Sequence, residues 1–400
     1  MLNKSHRTKA KRPLRIGFDA NPLIAKQKTG VSYYTQGLIN ALATYFPEEI
    51  ELVGYYSDFL GHRSQPAPDA KNIHYRSSLL LPSQLLNFLR RHGFPVPCEV
   101  LLKERTDFHL FTNFTDWPSI HKTPSAVVIY DLYYLERPDY VSRRNQQDLL
   151  KLVPIALDRS SFIITISEAT KNALYSAYPK INKPLLVEHI APDKPLIVSS
   201  EICEQTLRNF GINKPYILFV GTLEPRKNIN GLLGAYSRLS KDLQNQFSLI
   251  LVGGKGWNYE PILDQITKMK GEGLDIISTG YVSDEQKAAL YQRATMLALL
   301  SGNEGFGMPL LEAMSYKIPI LVSDIPVFHE VAKNSVLYCN QLDENDVAKC
   351  LTKLLTNTEL RQELAKNGLR RLEDFSWEDV AKHIFREIKS CIGHDAGNKL

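Results

Sequence analysis

Short apolar runs alternate with longer amphipathic segments from residue 14 onward. A continuous apolar run predicts a strand buried on both faces, whereas apolar residues three and four positions apart predict a helix. The runs predict strands at 14–19, 51–56, 107–111, 126–130, 162–166, 216–220, 248–252, 276–278, 296–300 and 318–322, and helical periodicity is clearest at 31–45, 360–371 and 377–389. Strands that alternate with helices indicate βαβ units and therefore parallel sheets.

The alternation is interrupted between residues 179 and 215, where five prolines occur with little periodicity. We interpret this stretch as the linker between two domains, which we place at 14–195 and 196–375. A tail (1–13) precedes them and a final helical segment (376–400) follows. Two arrays of similar size predict an α/β fold with two Rossmann-like domains that face a cleft. Ligands of such sheets bind at the carboxyl ends of the strands, so we expect the functional residues in the loops that follow the strands.

Composition and charge exclude several classes of protein. The chain has 400 residues, 44% of them apolar and 23% charged, which is typical of a globular protein. Six of its basic side chains lie in residues 1–15, without any acidic one, so the +5 charge belongs to this N-terminal stretch and the rest of the chain is near neutral. A nucleic-acid-binding domain normally carries a basic face, which the bulk charge does not indicate. The tail has no apolar stretch of the kind found in secretory signals.

The five cysteines are scattered and show no C-x-x-C spacing, so they indicate neither a zinc site nor a disulfide framework. This usage is typical of a reducing cytoplasm, where we expect the protein to be.

The sharpest motif is EGFGMPLLEAM at residues 304–314, directly after a predicted strand. Glycines let the backbone approach a ligand closely, and a helix N-terminus favours a phosphate. Glu304 and Glu312 can then accept hydrogen bonds from hydroxyl groups on either side of that phosphate. The alternative is a glycine-containing turn with a proline start and surface glutamates, which the two carboxylates after a buried strand make less plausible.

A second motif, FVGTLEPRKN at residues 219–228, ends another predicted strand. Arg226 and Lys227 in this loop can neutralise a diphosphate, the arginine as a two-pronged donor and the lysine as a point charge. A basic pair after a turn is commonplace on protein surfaces, but its position at the end of a strand favours the binding role.

Weaker signals lie in four other loops. The glycine at Thr29-Gly30-Val31 fits a flexible turn as well as a phosphate or acceptor loop. The segment GGKGW at 253–257 lacks the Gly-Lys-Ser/Thr order of a nucleotide-triphosphate loop. In GYVSD at 280–284, Val282 could lie beside a nucleobase, and Asp284 could do so or cap a helix. Ser167 after a predicted strand is most simply a helix N-cap.

The two long motifs, together with Phe375-Ser376-Trp377 before the last helix, resemble glycosyltransferase family 4, whose members are retaining nucleotide-sugar transferases of the GT-B fold. The similarity covers essentially residues 14–389 and is most specific in the second half. The segments VGTLEPRKN and GGKGW are similar to the corresponding segments of bacterial mannosyltransferases of O-antigen and exopolysaccharide assembly. The resemblance also implies that the last helix crosses back onto the first domain.

The resemblance implies a role for each candidate residue. Glu304 would hold hydroxyl groups of the donor sugar, Glu312 those of the ribose, and Arg226 and Lys227 the departing diphosphate. The catalytic set would be Arg226, Lys227, Glu304 and Asp131. The donor-binding set would be Gly30, Thr222, Val282, Asp284, Gly305, Phe306, Gly307, Met308 and Glu312. The fold generally needs no catalytic metal, and neither a metal motif nor a cofactor motif occurs.

Two positions depart from the family's pattern. The family often has His-Asp-Leu after the strand at 126–130, and here Tyr130-Asp131-Leu132 occupies that place. Many members also have an arginine after the glycine that ends the strand at 216–220, where this chain has Thr222. Arg226 is a candidate to supply the positive charge that this arginine carries in other members.

We therefore expect a hexosyltransferase that moves a sugar, with retention, from a nucleoside diphosphate sugar to a saccharide or lipid-linked saccharide. GDP-mannose is the favoured donor. With no nucleophilic carboxylate evident, front-face attack assisted by the leaving phosphate is the expected mechanism. The alternatives are an epimerase or phosphorylase of the same fold, or a non-catalytic sugar-nucleotide-binding protein.

The basic tail has two interpretations. It is either a solvated, disordered leader or a segment that brings the enzyme to an anionic membrane, where each basic residue contributes roughly 1 kcal/mol. Further basic residues of the irregular stretch after residue 61 could add to membrane contact. They are Arg63, Arg76, Arg90, Arg91, Lys103 and Arg105.

Overall fold

The protein was studied as a computed structural model, which describes residues 12–25, 27–58, 66–78 and 83–397. The strands are β1 (Leu14–Asp19), β2 (Ile50–Ser57), β3 (Ile73–Ser78), β4 (Phe108–Phe111), β5 (Ser125–Ile129), β6 (Phe162–Thr165), β7 (Leu185–Val187), β8 (Tyr216–Val220), β9 (Ser248–Val252), β10 (Ile276–Gly280), β11 (Met296–Leu299), β12 (Ile320–Ser323) and β13 (Leu337–Cys339).

The helices are α1 (Gly30–Tyr45), α2 (Ser83–Arg91), α3 (Cys98–Leu102), α4 (Tyr133–Glu136), α5 (Arg143–Arg159), α6 (Glu168–Ala177), α7 (Ser200–Phe210), α8 (Ile229–Ser237), α9 (Lys241–Gln246), α10 (Glu260–Gly271), α11 (Asp284–Arg293), α12 (Met308–Ser315), α13 (Pro326–Ala332), α14 (Glu344–Thr356), α15 (Thr358–Leu372) and α16 (Trp377–Gly397). Short 3₁₀ turns occupy Asn21–Ile24, Pro138–Tyr140 and Pro225–Lys227.

Two parallel sheets organise the molecule. The first has the strand order β3-β2-β1-β4-β5-β6-β7 and the second β10-β9-β8-β11-β12-β13. In both, the strand order reverses beside the first strand, so connections run in opposite directions on its two sides and leave a crevice at the carboxyl ends. The prediction of two Rossmann-like domains is confirmed, and the crevice of the second sheet lies between the ends of β8 and β11.

The central strands are apolar on both faces because helices cover both sides of each sheet. All four residues of β11 and all five of β9 are buried. The long final helix α16 packs against α1 of the first sheet, with the rings of Phe46 and Phe385 4.3 Å apart. A Cβ added at Gly37 of α1 would lie 2.1 Å from the Trp377 ring, so a glycine is needed where the two helices meet.

The interpretation of residues 179–215 as a linker was wrong in part. This stretch contains β7, which extends the first sheet, and α7, so its longest segment without regular structure is 188–199. The stretch after residue 61 likewise contains β3, α2 and α3, which the sequence pattern missed. All three missed strands, β3, β7 and β13, lie at sheet edges. β3 carries several polar residues, and β7 and β13 have only three residues each, too few to form a clear pattern.

Some of the basic residues that could add to membrane contact have partners within the protein. Arg76 pairs with Glu104 at 2.9 Å, Arg91 pairs with Asp148, and the guanidinium of Arg90 stacks 4.8 Å from the Trp117 ring. Residues 1–11 of the tail, and Arg63, lie outside the described residues, so the disordered tail and its membrane contact stay predictions. Within the described part of the chain, no helix combines the length and apolar character needed to span a bilayer.

Candidate active site

A cavity of about 440 Å³ lies between the carboxyl ends of the two sheets, and we call it the cleft cavity. All the residues predicted to act on or bind a donor line it. They are Gly30, Asp131, Thr222, Arg226, Lys227, Val282, Asp284, Glu304, Gly305, Phe306, Gly307, Met308 and Glu312. The structure therefore brings the predicted residues of both domains to one place, while their roles stay predictions.

The loops after β8 and β11 meet through a cluster of charged side chains. Lys227 Nζ donates to Glu304 Oε1 at 2.5 Å, and Arg226 Nη1 donates to Glu304 Oε2 at 2.7 Å. Arg226 Nη2 donates to Glu224 Oε1 at 2.6 Å, and the Ser301 hydroxyl donates to Glu304 Oε1 at 2.7 Å. Two cations and two carboxylates thus form a cluster with no net formal charge, which the sequence motifs did not indicate.

The cluster fixes the charge states of its members. Burial alone would raise the pKa of Glu304, but the neighbouring Lys227 and Arg226 hold it at about 2. Burial and the charge of Arg226 lower the pKa of Lys227, against the pull of Glu304. Arg226 has a raised pKa because Glu304 and Glu224 outweigh the effect of its burial. Glu304 is therefore a carboxylate at any physiological pH, able only to accept hydrogen bonds.

The loop from Gly305 to Gly307 lines the cavity, and its two glycines place no side chain between the backbone and a ligand. A Cβ added at Gly305 would lie 2.3 Å from the Tyr130 carbonyl oxygen, so this loop touches the first domain directly. Gly307 has φ +101°, a left-handed conformation that favours glycine, and it precedes α12. The N–H groups of Gly305, Phe306 and Gly307 form no hydrogen bond with another described residue, and the positive end of α12 adds to their attraction for an anion.

The far end of the cavity holds Glu312, one turn inside α12. Its carboxylate accepts from Lys287 Nζ at 2.8 Å and from the Tyr291 hydroxyl at 2.7 Å. Lys287 also lies 4.9 Å from the ring of Tyr33, which belongs to α1 of the first domain. Sequence reasoning missed Lys287 and Tyr33, although Lys287 follows Asp284 by three positions and so shares its helix face. Asp284 itself does not cap α11, since Ser283 is the N-cap.

The side chains of Tyr130 and Asp131, which directly follow β5, lie in different surroundings. Tyr130 is 5% exposed and its hydroxyl donates to the Thr112 carbonyl at 2.7 Å, so its side chain is anchored in the first domain. Asp131 lines both the cleft cavity and a neighbouring cavity of about 450 Å³, which we call the side cavity. Burial raises the pKa of Asp131 to about 6, against the attraction of Arg226.

We expect activity to fall as the pH is lowered through about 6. A carboxyl with a raised pKa is ionised above that value and protonated below it, and only the ionised form is purely an acceptor of hydrogen bonds. The measurement is kcat/KM from pH 5 to 8 for the wild type and Asp131→Asn. The variant should be less active throughout and should lack the limb near pH 6. If kcat/KM of Asp131→Asn still falls below about pH 6, a group other than Asp131 causes the decrease.

The remaining sequence predictions have mixed outcomes. Ser167 is the N-cap of α6, as predicted, and its side chain accepts from the Thr170 N–H. The 3₁₀ turn at Pro225–Lys227, rather than a longer helix, presents the basic pair. Among the described residues, no group of three His, Cys, Asp or Glu is arranged to hold a metal ion.

Comparisons with known proteins agree with this geometry. Residues 205–371 match the family model of glycosyl transferases group 1. The O-antigen chain mannosyltransferase B of Escherichia coli is 27% identical over 94% of this chain and 100% of its own length. The serotype-specific mannosyltransferase WbdA of Escherichia coli is 32% identical over 44% of this chain, which spans 21% of that longer protein.

The fold is shared more widely than the sequence. Sucrose-phosphate synthase of Thermosynechococcus elongatus superposes with a TM-score of 0.71 over 95% of this chain and 100% of its own, at 16% identity. Two doubly wound domains around a cleft define the GT-B fold. Residues 205–371 are similar to the glycosyl transferases group 1, and the enzyme is a glycosyltransferase.

Proposed function

We propose that the enzyme transfers a mannosyl group from GDP-mannose to a hydroxyl of a saccharide or lipid-linked saccharide, with retention, in the assembly of a bacterial surface polysaccharide. The similarity to mannosyltransferases supports the sugar, since one of them aligns over nearly the whole chain. The observation that carries the transfer chemistry is the Arg226–Lys227–Glu304 cluster, which lies where the ends of β8 and β11 meet.

The cluster suits a reaction in which a diphosphate leaves while the sugar becomes oxocarbenium-like. Donors that are already in place stabilise the charge developing on the leaving group at no cost of reorganisation. Arg226, Lys227 and the free N–H groups of the Gly305–Gly307 loop supply such donors. Because Glu304 and Glu224 already neutralise the two cations, the donor binds by exchange. Sugar hydroxyls replace Arg226 and Lys227 as hydrogen-bond partners of Glu304. The phosphates replace Glu304 as the partner of the two cations.

The nucleoside occupies the other end of the cleft cavity. Glu312 accepts hydrogen bonds from the ribose hydroxyls, and Lys287 holds its carboxylate in place. Val282 and Asp284, together with the half-exposed ring of Tyr281, surround the base.

The acceptor enters through the side cavity. Its lining combines aromatic faces, such as Tyr133 and Tyr140, with amides and carboxylates that suit sugar hydroxyls. Arg226 and Asp131 line both cavities, so the acceptor hydroxyl would reach the anomeric carbon there. Its proton passes to an oxygen of the leaving phosphate as the new glycosidic bond forms on the same face.

A donor screen tests the proposal. In thermal shift with GDP-mannose, UDP-sugars and dTDP-rhamnose, we expect GDP-mannose to stabilise the enzyme selectively, by about 2.7 kcal/mol at 100 times its Kd. Incubation of the stabilising donor with and without a saccharide acceptor then gives a glycoside only with acceptor. Equal stabilisation by a UDP-sugar would refute the donor, and an isomerised sugar nucleotide without acceptor would indicate an epimerase.

A further inference from the structure

A carboxylate of the second domain binds the end of a helix in the first. Glu330, on α13, accepts from the N–H of Glu168 at 2.7 Å through Oε1 and from the N–H of Ala169 at 3.1 Å through Oε2. These N–H groups belong to the first turn of α6, whose own N-cap, Ser167, binds Thr170 instead. Glu330 therefore satisfies donors that α6 cannot satisfy within itself.

The contact is strengthened by charge and by partial burial. The first turn of a helix carries a partial positive charge that favours a carboxylate, more so where solvent is partly excluded. The Glu330 side chain is 16% exposed. Burial would raise its pKa, but His189 and the two N–H groups lower it, so the side chain is ionised at neutral pH.

Glu330 is held firmly from its own side. Arg371 of α15 donates to the carbonyl oxygens of Val331 at 2.7 Å and of Glu330 at 2.9 Å, which ties the end of α13 to the second domain. The carboxylate is therefore a fixed part of that domain, and movement of α6 away from it breaks the contact.

The same carboxylate is connected to the cleft cavity through the segment that joins the domains. His189 Nε2 lies 2.7 Å from Glu330 Oε1, and its ring packs 5.7 Å from the ring of Phe306. Phe306 lies between Gly305, which touches the Tyr130 carbonyl, and Gly307. Neither Glu330 nor His189 lines the cleft cavity or the side cavity.

We infer that Glu330 is a positioning residue for glycosyl transfer, which holds α6 and the Gly305–Gly307 loop together and so keeps the two halves of the active site in register. It acts through the domain arrangement and not by contact with substrate. The inference concerns the shared active site of the enzyme and does not depend on GDP-mannose as the donor.

The test uses Glu330→Gln and Glu330→Ala in the full chain, with Asp324→Asn as a matched control. Asp324 pairs with His329 at 2.6 Å in the same region, but this pair is exposed and lies within one domain. We expect kcat to fall about tenfold in both Glu330 variants, the change expected when a partly buried charge-to-helix contact is lost. The Kd of GDP, or of UDP if GDP does not bind, should change less than threefold, because the proposed diphosphate and ribose contacts lie mainly in the second domain.

Small-angle X-ray scattering without ligand supplies a second readout, in which the Glu330 variants should have a larger radius of gyration than the wild type and Asp324→Asn. This measurement needs no substrate, so it succeeds or fails independently of the proposed donor. A lowered melting temperature with unchanged kcat and radius of gyration would reduce Glu330 to a structural residue. A loss of nucleotide affinity equal to the loss of kcat would also overturn the positioning role.

Discussion

Replacing Lys227 by alanine should lower kcat by about 10² to 10³, and replacing Glu304 by glutamine should have an effect of similar size. Removing one preorganised donor to a developing charge typically costs about 2.7–4 kcal/mol of transition-state stabilisation. Lys227 is such a donor, whereas Glu304 both orients the two cations and is proposed to bind the sugar. Initial rates with saturating donor and acceptor measure the loss.

Folding should survive either change because the cluster shares its contacts. Without Lys227, the Glu304 carboxylate still accepts from Arg226 and Ser301. Lys255→Ala is a matched control, since this lysine is exposed in the neighbouring loop after β9 and does not line the cleft cavity. Near-normal rates in both Lys227→Ala and Glu304→Gln, with Lys255→Ala also active, would contradict the assignment of the site.

The two substitutions should not be additive. Residues that share a hydrogen-bonded network typically couple by about 0.5–3 kcal/mol. The double variant Lys227→Ala/Glu304→Gln should therefore lose less activity than the product of the two single losses. Strict multiplicativity in this cycle would show that the 2.5 Å contact between the two side chains does not matter for the reaction.

The sequence predicted the fold best where burial is complete. β8 and β9 were predicted with their observed bounds, since strands covered by helices on both faces must be continuously apolar. The edge strands β3, β7 and β13 have one neighbour each. β3 carries several polar residues, and β7 and β13 are only three residues long, so periodicity did not reveal them. Proline density in 179–215 concealed α7, because prolines around a helix and prolines of a linker look alike in one sequence.

The predicted site residues lie in loops at strand ends, which the alternation of strands and helices locates without any tertiary information. The sequence could not show which charges meet. That Arg226 is shared by Glu304 and Glu224, or that Tyr33 meets Lys287 across the cleft, depends on how two loops or two domains pack. Glu330 was missed for the same reason, since its partner helix lies in the other domain.

A methyl group at residue 305 should separate the two halves of the active site. The added Cβ of Gly305→Ala would meet the Tyr130 carbonyl oxygen at 2.3 Å and Ile166 Cδ1 at 3.3 Å. The first of these neighbours is backbone, which cannot rotate away as a flexible side chain can. The chain must therefore move the loop or open the cleft.

Overpacking of this kind typically costs about 1–3 kcal/mol, which corresponds to roughly 5- to 150-fold in the population of the closed arrangement. We expect kcat/KM of Gly305→Ala to fall within that range. The melting temperature should change little, since the clash is relieved by moving one domain against the other. Gly271→Ala in α10 is the control, because a Cβ there meets nothing within 4 Å. Activity of Gly305→Ala within twofold of wild type would show that contact between the loop and Tyr130 is not part of the working enzyme, and it would also remove the structural basis for a positioning role of Glu330.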